Sequence, residues 1–219
     1  HARNLATGLA APGSSTRLQA ALAAGSAPEP GLLPVLLERC AVEPDFFVRD
    51  MLTWALTRFP ARLTVPALLD ELHSLVPQAR SQALHTLSKI GEAADRPVYP
   101  HITDDLLADA DDEVARTAWR TAGGRGPRQD AGQLAARLRG QLGRGPREIR
   151  RSLTRAYLDL GESGRPALES VAGEDGPADS PATVHATVHA TATLILLDDP
   201  DHGFDAAEYT ATRQEQGPH

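Results

Sequence analysis

Apolar residues recur along this chain at helical intervals, and the same pattern returns every thirty-odd positions. Six segments share one form: a turn, a small or β-branched residue, usually arginine, then an apolar helix. They are Ser15-Thr16-Arg17, Phe47-Val48-Arg49, Gln78-Ala79-Arg80, Glu113-Val114-Ala115, Glu148-Ile149-Arg150 and Thr183-Val184-His185. Their third members, taken as the reference, fall at 17, 49, 80, 115, 150 and 185, in steps of 32, 31, 35, 35 and 35. Three residues on stand Ala20, Leu52, Ala83, Ala118, Leu153 and Val188; seven on stand Ala24, Leu56, Leu87, Ala122, Tyr157 and Ala192. Positions −1, +3 and +7 share one helical face, so each copy is predicted to bury that stripe.

Turn signals precede the copies: Pro12-Gly13-Ser14, Pro44-Asp45, Pro77, Asp111-Asp112, Gly145-Pro146 and Ser180-Pro181. Proline is tolerated there because its missing N–H would be unpaired in the first helical turn anyway. Each copy has an apolar partner upstream: a short one at about 4–10, then 31–41, 63–75, 98–108, 133–142 and about 166–172. Helix pairs with this period leave tetratricopeptide, ankyrin and HEAT-like repeats to choose from. The Thr-Pro-Leu-His signature of the second and the Trp and Gly-Tyr pattern of the first are absent. Asp45-Phe46-Phe47-Val48-Arg49 and Asp111-Asp112-Glu113-Val114-Ala115-Arg116 resemble HEAT repeats, especially the short bacterial type related to phycobilisome-lyase HEAT-like repeats. The resemblance spans about residues 4–197. It implies an all-α, right-handed α-α superhelix, a solenoid of about six helix pairs, at about 1–26, 30–60, 61–91, 97–124, 129–161 and 164–197. Residues 198–219 then read as an acidic cap and tail, with a short helix near 206–212 shielding the last apolar face. The stretch 173–181 reads as a loop.

Composition narrows the core and the setting. Apolar residues make up 41% of the 219 residues but aromatics only 4%, which suits closely packed Leu, Ala and Val helices. The longest apolar run, within 190–197, falls far short of the roughly 20 residues of a membrane span, and the first residues lack a secretory pattern. The expectation is no membrane association and a cytoplasmic setting. A lone cysteine, Cys40, excludes an internal disulfide framework. Only Lys89 among 22 basic residues is lysine. With abundant Ala, Gly and Pro, that composition resembles a GC-rich, actinobacterial-like bacterial coding bias.

Charge is what singles out a site. Residues 1–115 carry 9 basic and 15 acidic side chains; residues 116–155 carry 11 arginines against Asp130 and Glu148; residues 156–219 carry 2 basic and 12 acidic. The blocks run −6, +9 and −10. With −1, +3 and +7 turned inward, +1 and +5 face the opposite way, toward the concave surface of a solenoid. The +1 column reads Leu18, Asp50, Ser81, Arg116, Arg151, Ala186, and the +5 column Leu22, Trp54, His85, Arg120, Arg155, Ala190. Arg116 and Arg120, one turn apart, are repeated by Arg151 and Arg155, and stacked helices about 8–10 Å apart would gather them into one patch. Guanidinium forks suit carboxylates and phosphates. The competing expectation is neutralisation by Asp111, Asp112, Glu113 and Glu148, which begin the same helices. The recurring Arg17, Arg49, Arg80 and Arg150 are expected to make inter-repeat ladders instead.

The groove expected from this reading comprises Asp50, Trp54, His85, Arg116, Trp119, Arg120, Arg151 and Arg155, with Trp119 bordering the core. The function expected is a non-catalytic adaptor holding an acidic protein segment or another anionic ligand, with no cofactor and no metal. The alternative is an enzyme acting on nucleic acid or a small substrate. HEAT-fold alkylpurine DNA glycosylases use an acid, aromatics and arginine in their cleft, and Asp50, Trp54, Trp119 and Arg120 resemble these in ingredients only. Self-association, through the acidic C-terminal segment, is a further expectation. His185 and His189 stand at a metal-compatible spacing but lack a third ligand, so structural roles are expected. Cys40 with His73 or His85 reads as a buried inert thiol and two unrelated histidines, and the glycines at 123–126 and 140–145 read as turns.

Overall fold

In a computed structural model describing residues 2–90, 97–173 and 180–217, the chain is all-helical and its helices pack in pairs. The rest, including six residues of the expected 173–181 loop, lie outside the described residues. The chain divides into two compact units, His1–Ile102 and Thr103–His219. The first holds α1 (Ala2–Leu9), α2 (Ser14–Ser26), α3 (Leu33–Val42), α4 (Phe46–Arg58), α5 (Ala61–Glu71) and α6 (Pro77–Ile90). The second holds α7 (Asp104–Leu107), α8 (Asp112–Arg125), α9 (Ala131–Leu138), α10 (Arg147–Leu160), α11 (Arg165–Ala172), α12 (Pro181–Asp198) and α13 (Phe204–Gln216). Short 3-10 turns link several of them.

The second helices bury the face that the periodicity predicts. Ala20, Leu52, Ala83, Ala118 and Leu153 at +3, and Ala24, Leu56, Leu87, Ala122 and Tyr157 at +7, are all buried. The stripe is wider than predicted, because +4 is buried too: Ala21, Thr53, Leu84, Trp119, Thr154 and His189. Two helix starts follow from side-chain capping: Asp45 accepts from the Phe47 and Val48 N–H groups, and Asp111 from those of Glu113 and Val114. The upstream partner expected at 98–108 is instead a 3-10 turn (Tyr99–His101) followed by the four-residue α7. Pro97 and Pro100 remove two backbone donors there, and the chain restarts at Thr103.

The recurring arginines share one job that the expectation of an inter-repeat ladder does not include. Each reaches back to carbonyls of the turn between its own two helices. Arg17 donates to Ala11 and Pro12, Arg49 to Glu43 and Pro44, Arg80 to Ser74 and Arg150 to Gly145, at 2.8–3.0 Å. These carbonyls lie in the connecting turns, past the last helical residue, where the helical ladder supplies no N–H for them. Where the reference residue is Ala115, Arg144 from the next turn supplies the bond, donating to the Asp109 carbonyl and to Asp112. Two of the arginines also reach beyond their own pair. Arg17 makes a two-pronged bond to both oxygens of the fully buried Glu43, at 2.7 and 2.8 Å, and Arg150 turns two donors on the Oε1 of Glu208 in α13, at 3.0 and 2.7 Å.

Between successive second helices run buried polar seams. Gln82 donates to Thr53 and to the Arg49 carbonyl, and Thr86 donates to the Gln82 carbonyl. In the other unit, the Gly143 N–H donates to His189 Nδ1 at 2.9 Å, which puts the ring proton on Nε2, facing Thr154 Oγ1 at 2.9 Å. Thr154 in turn meets Thr193, whose hydroxyl donates to the His189 carbonyl. His189 and Thr193 thus stand where Gln82 and Thr86 stand in α6, two residues later than a reference at 185 predicts. That shift places the reference of this copy at Thr187, so neither His185 nor His189 of the duplicated Thr-Val-His at 183–185 and 187–189 holds the position that Arg80 holds in α6. The terminal helix α13, longer than the 206–212 expected, lays Ala207 and Ala211 on Ala192 and Leu196.

Two groups set opposite ends of an acid titration. Burial opposes a charge on Glu43. Bonds from Arg17, the Asp45 N–H and Arg39 outweigh it and hold the carboxyl at about 2, below 4.5. Burial, aided by the Arg150 charge, lowers His189 from 6.5 to about 4. An unfolded chain takes each proton before the folded one does, so stability falls as pH drops through each window. The C-terminal unit should therefore weaken between pH 6.5 and 4, before Glu43 weakens the N-terminal unit between 4.5 and 2; amide exchange read separately for each unit against pH checks the order. Glu43→Gln should cost the N-terminal unit about 3 kcal/mol in urea unfolding, because Arg17 is left buried without its counter-charge. A loss within error would show the pair to be dispensable.

Candidate functional site: an arginine pocket on α8 and α10

Within the C-terminal unit, α8 and α10 are successive second helices, and the face opposite their buried stripe carries Arg116, Arg120, Arg151 and Arg155. The four line one depression of about 390 Å³, together with Glu148, Ser152, Ala156 and Asp159. Helical spacing explains the convergence. Residues four apart lie one above the other, so two pairs on two packed helices face a common space.

Neutralisation is partial. Glu113 pairs with Arg116 at 3.2 Å. Asp111 is occupied as the N-cap of α8 and Asp112 pairs with Arg144, so neither reaches the pocket. Arg151 lies under the Phe204 ring, 5.5 Å from its centroid, so the first residue of α13 braces it. Among the described residues, no carboxylate pairs with Arg120 or Arg155, and both are exposed. The site therefore holds two guanidinium groups with free donors, beside one paired and one stacked. Phe204 was beyond reach of the sequence pattern because it comes from outside the repeats. Glu148 and Asp159 line the pocket at positions that column reading does not single out as ligand-facing.

Trp119 requires a correction. It is wholly buried and its indole N–H donates to the Leu107 carbonyl at 2.8 Å, so it is core and faces no ligand. At +4 it falls on the widened buried stripe, one step from the groove column. Asp50, Trp54 and His85 belong to the N-terminal unit. Asp50 is exposed and His85 half-buried. Trp54 remains 38% exposed, with Arg58 6.0 Å from its ring centroid. It rests against Gly25, where an added Cβ would lie 2.8 Å from the Ala55 Cα. Cys40 is buried, and burial pushes its thiol up to about 12, so it is no nucleophile at neutral pH. His185 is exposed and His189 is committed to its seam. A second depression, of about 520 Å³ between α12 and α13, has its charged pair Arg150–Glu208 already closed.

No family model matches the chain, and no curated protein matches it. Among solved structures, the chain aligns with an engineered protein from a structural genomics consortium at 16% identity, over 98% of this chain and 96% of that one. Its TM-score is 0.33, too low to carry an argument about fold or function.

The two tryptophans give a direct check on these placements. Trp54→Phe should leave an emission that is blue-shifted and protected from iodide, whereas the parent chain shows a quenchable component. Quenching that survives the substitution would place Trp119 at the surface.

Proposed function

We propose that this protein is a non-catalytic binding module whose arginine pocket holds an acidic protein segment. The finer reading of its fold, HEAT-like pairs wound as a right-handed α-α superhelix, rests on the recurring positions and on the arginine-closed turns. The functional reading rests on one observation: four arginines converge from two helices, and Arg120 and Arg155 keep their donors unspent. Exposed cations on a rigid helical frame select anions through charge-assisted bonds, and helices place them more exactly than loops would.

Two other readings find less support. The enzyme reading lists Trp119 among its ingredients, and that residue is buried. Self-association through the acidic C-terminal segment would draw on Asp205 and Glu208, which already pair within the chain with Arg147 and Arg150.

Reversal of the two free charges is the test. Arg120→Glu with Arg155→Glu should weaken binding of a glutamate-rich peptide at least ~100-fold, since two charge-assisted bonds are worth about 1.5 kcal/mol each. Helicity by circular dichroism should stay unchanged. Unaltered affinity in anisotropy titrations would remove the pocket from the account, and a preference for duplex DNA over the peptide would favour a nucleic-acid ligand.

A further inference from the structure

The pocket is not uniformly basic, and the order of its charges carries information. Along α10 its lining reads Glu148, Arg151, Arg155, Asp159, that is negative, positive, positive, negative. Steps of three, four and four residues keep all four on one helical face. At 1.5 Å rise per residue, the two outer carboxylates stand about 16 Å apart along the helix. Among the described residues, neither Glu148 nor Asp159 forms an ion pair, so these acids are not consumed by their arginine neighbours. A uniform polyanion long enough to fill this surface would set its charge against a carboxylate at each end, and like charges brought together are unfavourable.

Facing this row, α8 presents Arg116 and Arg120, followed by Gly123 and Gly124 on the same face, three and four residues further on. Both glycines, expected as part of a turn, stand in the last turn of α8, where glycine is a poorer helix former than alanine. Neither has a positive φ, and a Cβ added to either would meet no atom within 4 Å. Neither a close contact nor the backbone conformation within this unit therefore requires glycine at these two positions. Close approach of a second backbone gives one.

Building on the reading of the pocket as a site for an acidic segment, we propose that its occupant is an α-helix of a partner protein bearing the complementary order: basic, acidic, acidic, basic, on one face. The two acids meet Arg151 and Arg155 and are shared with Arg120, while the outer basic residues meet Glu148 and Asp159. The partner backbone passes closest at Gly123 and Gly124, where side chains would otherwise hold it at the usual 8–10 Å between helix axes. Glu148 and Asp159 thereby act as specificity determinants that turn away purely acidic competitors such as nucleic acid.

The experiment uses the full chain and two fluorescent alanine-rich peptides of identical composition, each ~18 residues long so that they can become helical. One carries basic, acidic, acidic, basic at the spacing of α10; the other carries the inverted order. The first should bind at least tenfold tighter in anisotropy titrations. Glu148→Gln with Asp159→Asn should erase that preference, and should raise affinity for a peptide whose charges are all glutamate. Gly123→Ala with Gly124→Ala should preserve or raise the melting temperature and yet weaken the ordered peptide tenfold. Equal binding of the two peptides, still lost on Arg120 and Arg155 reversal, would overturn the ordered-helix inference and leave the anion pocket standing. Binding of neither peptide, nor of the all-glutamate one, would overturn both.

Discussion

A turn between two packed helices holds backbone carbonyls that the ladder of neither helix can satisfy, and the helix pairs here must answer that requirement. The chain answers it with arginine at the start of the following helix, in the bonds from Arg17, Arg49, Arg80 and Arg150 to carbonyls five and six residues back. Where that arginine is missing, at Ala115, Arg144 is brought in from the adjacent turn to the equivalent carbonyl of Asp109. One guanidinium thus fixes both the turn and the rotation of the second helix about its axis. Rotation in turn decides which columns are buried and which are displayed.

With the rotation fixed, the inward columns divide between apolar and polar duties. Ala, Leu and Tyr157 fill the pairs, while Gln82, Thr53, Thr86, Thr154, His189 and Thr193 bond across between neighbouring second helices. Such buried bonds have to be satisfied on both sides, which specifies register more narrowly than alanine packing does. The outward columns are left free of structural duty. In the C-terminal unit that freedom is used for Arg116, Arg120, Arg151 and Arg155, and the terminal helix contributes twice: Asp205 and Glu208 occupy Arg147 and Arg150, and Phe204 stacks on Arg151.

The helix pairing and the +3 and +7 columns were legible because small and branched apolar residues recur there with little exception. The four pocket arginines were legible for the same reason, since two of them repeat the other two 35 residues later. What escaped reading depends on contacts that no periodicity encodes. Trp119 sits one position from the groove column, and its complete burial and its bond to Leu107 show that it turned inward. The duplicated stretch at 183–189 repeats every four residues and marks no single face, so its register is set by His189 finding Gly143 and Thr154. The broken helix at 98–108 turned on two prolines whose effect the apolar spacing masked. An inter-repeat bond is present at Arg17–Glu43, but the turn-closing duty shared by these arginines was not legible, because its targets are backbone carbonyls, invisible in the pattern of side chains.

The central claim is that two sets of arginines in one chain have opposite duties, one closing turns and the other holding a ligand. Titrating a nitrogen-labelled chain with an unlabelled glutamate-rich peptide, and following the arginine Nε–Hε signals by nuclear magnetic resonance, separates them directly. The account predicts that Arg120, Arg151 and Arg155 shift together along one binding curve while Arg17, Arg49 and Arg150 stay in place. Shifts confined to the turn arginines, or spread evenly over both sets, would contradict it.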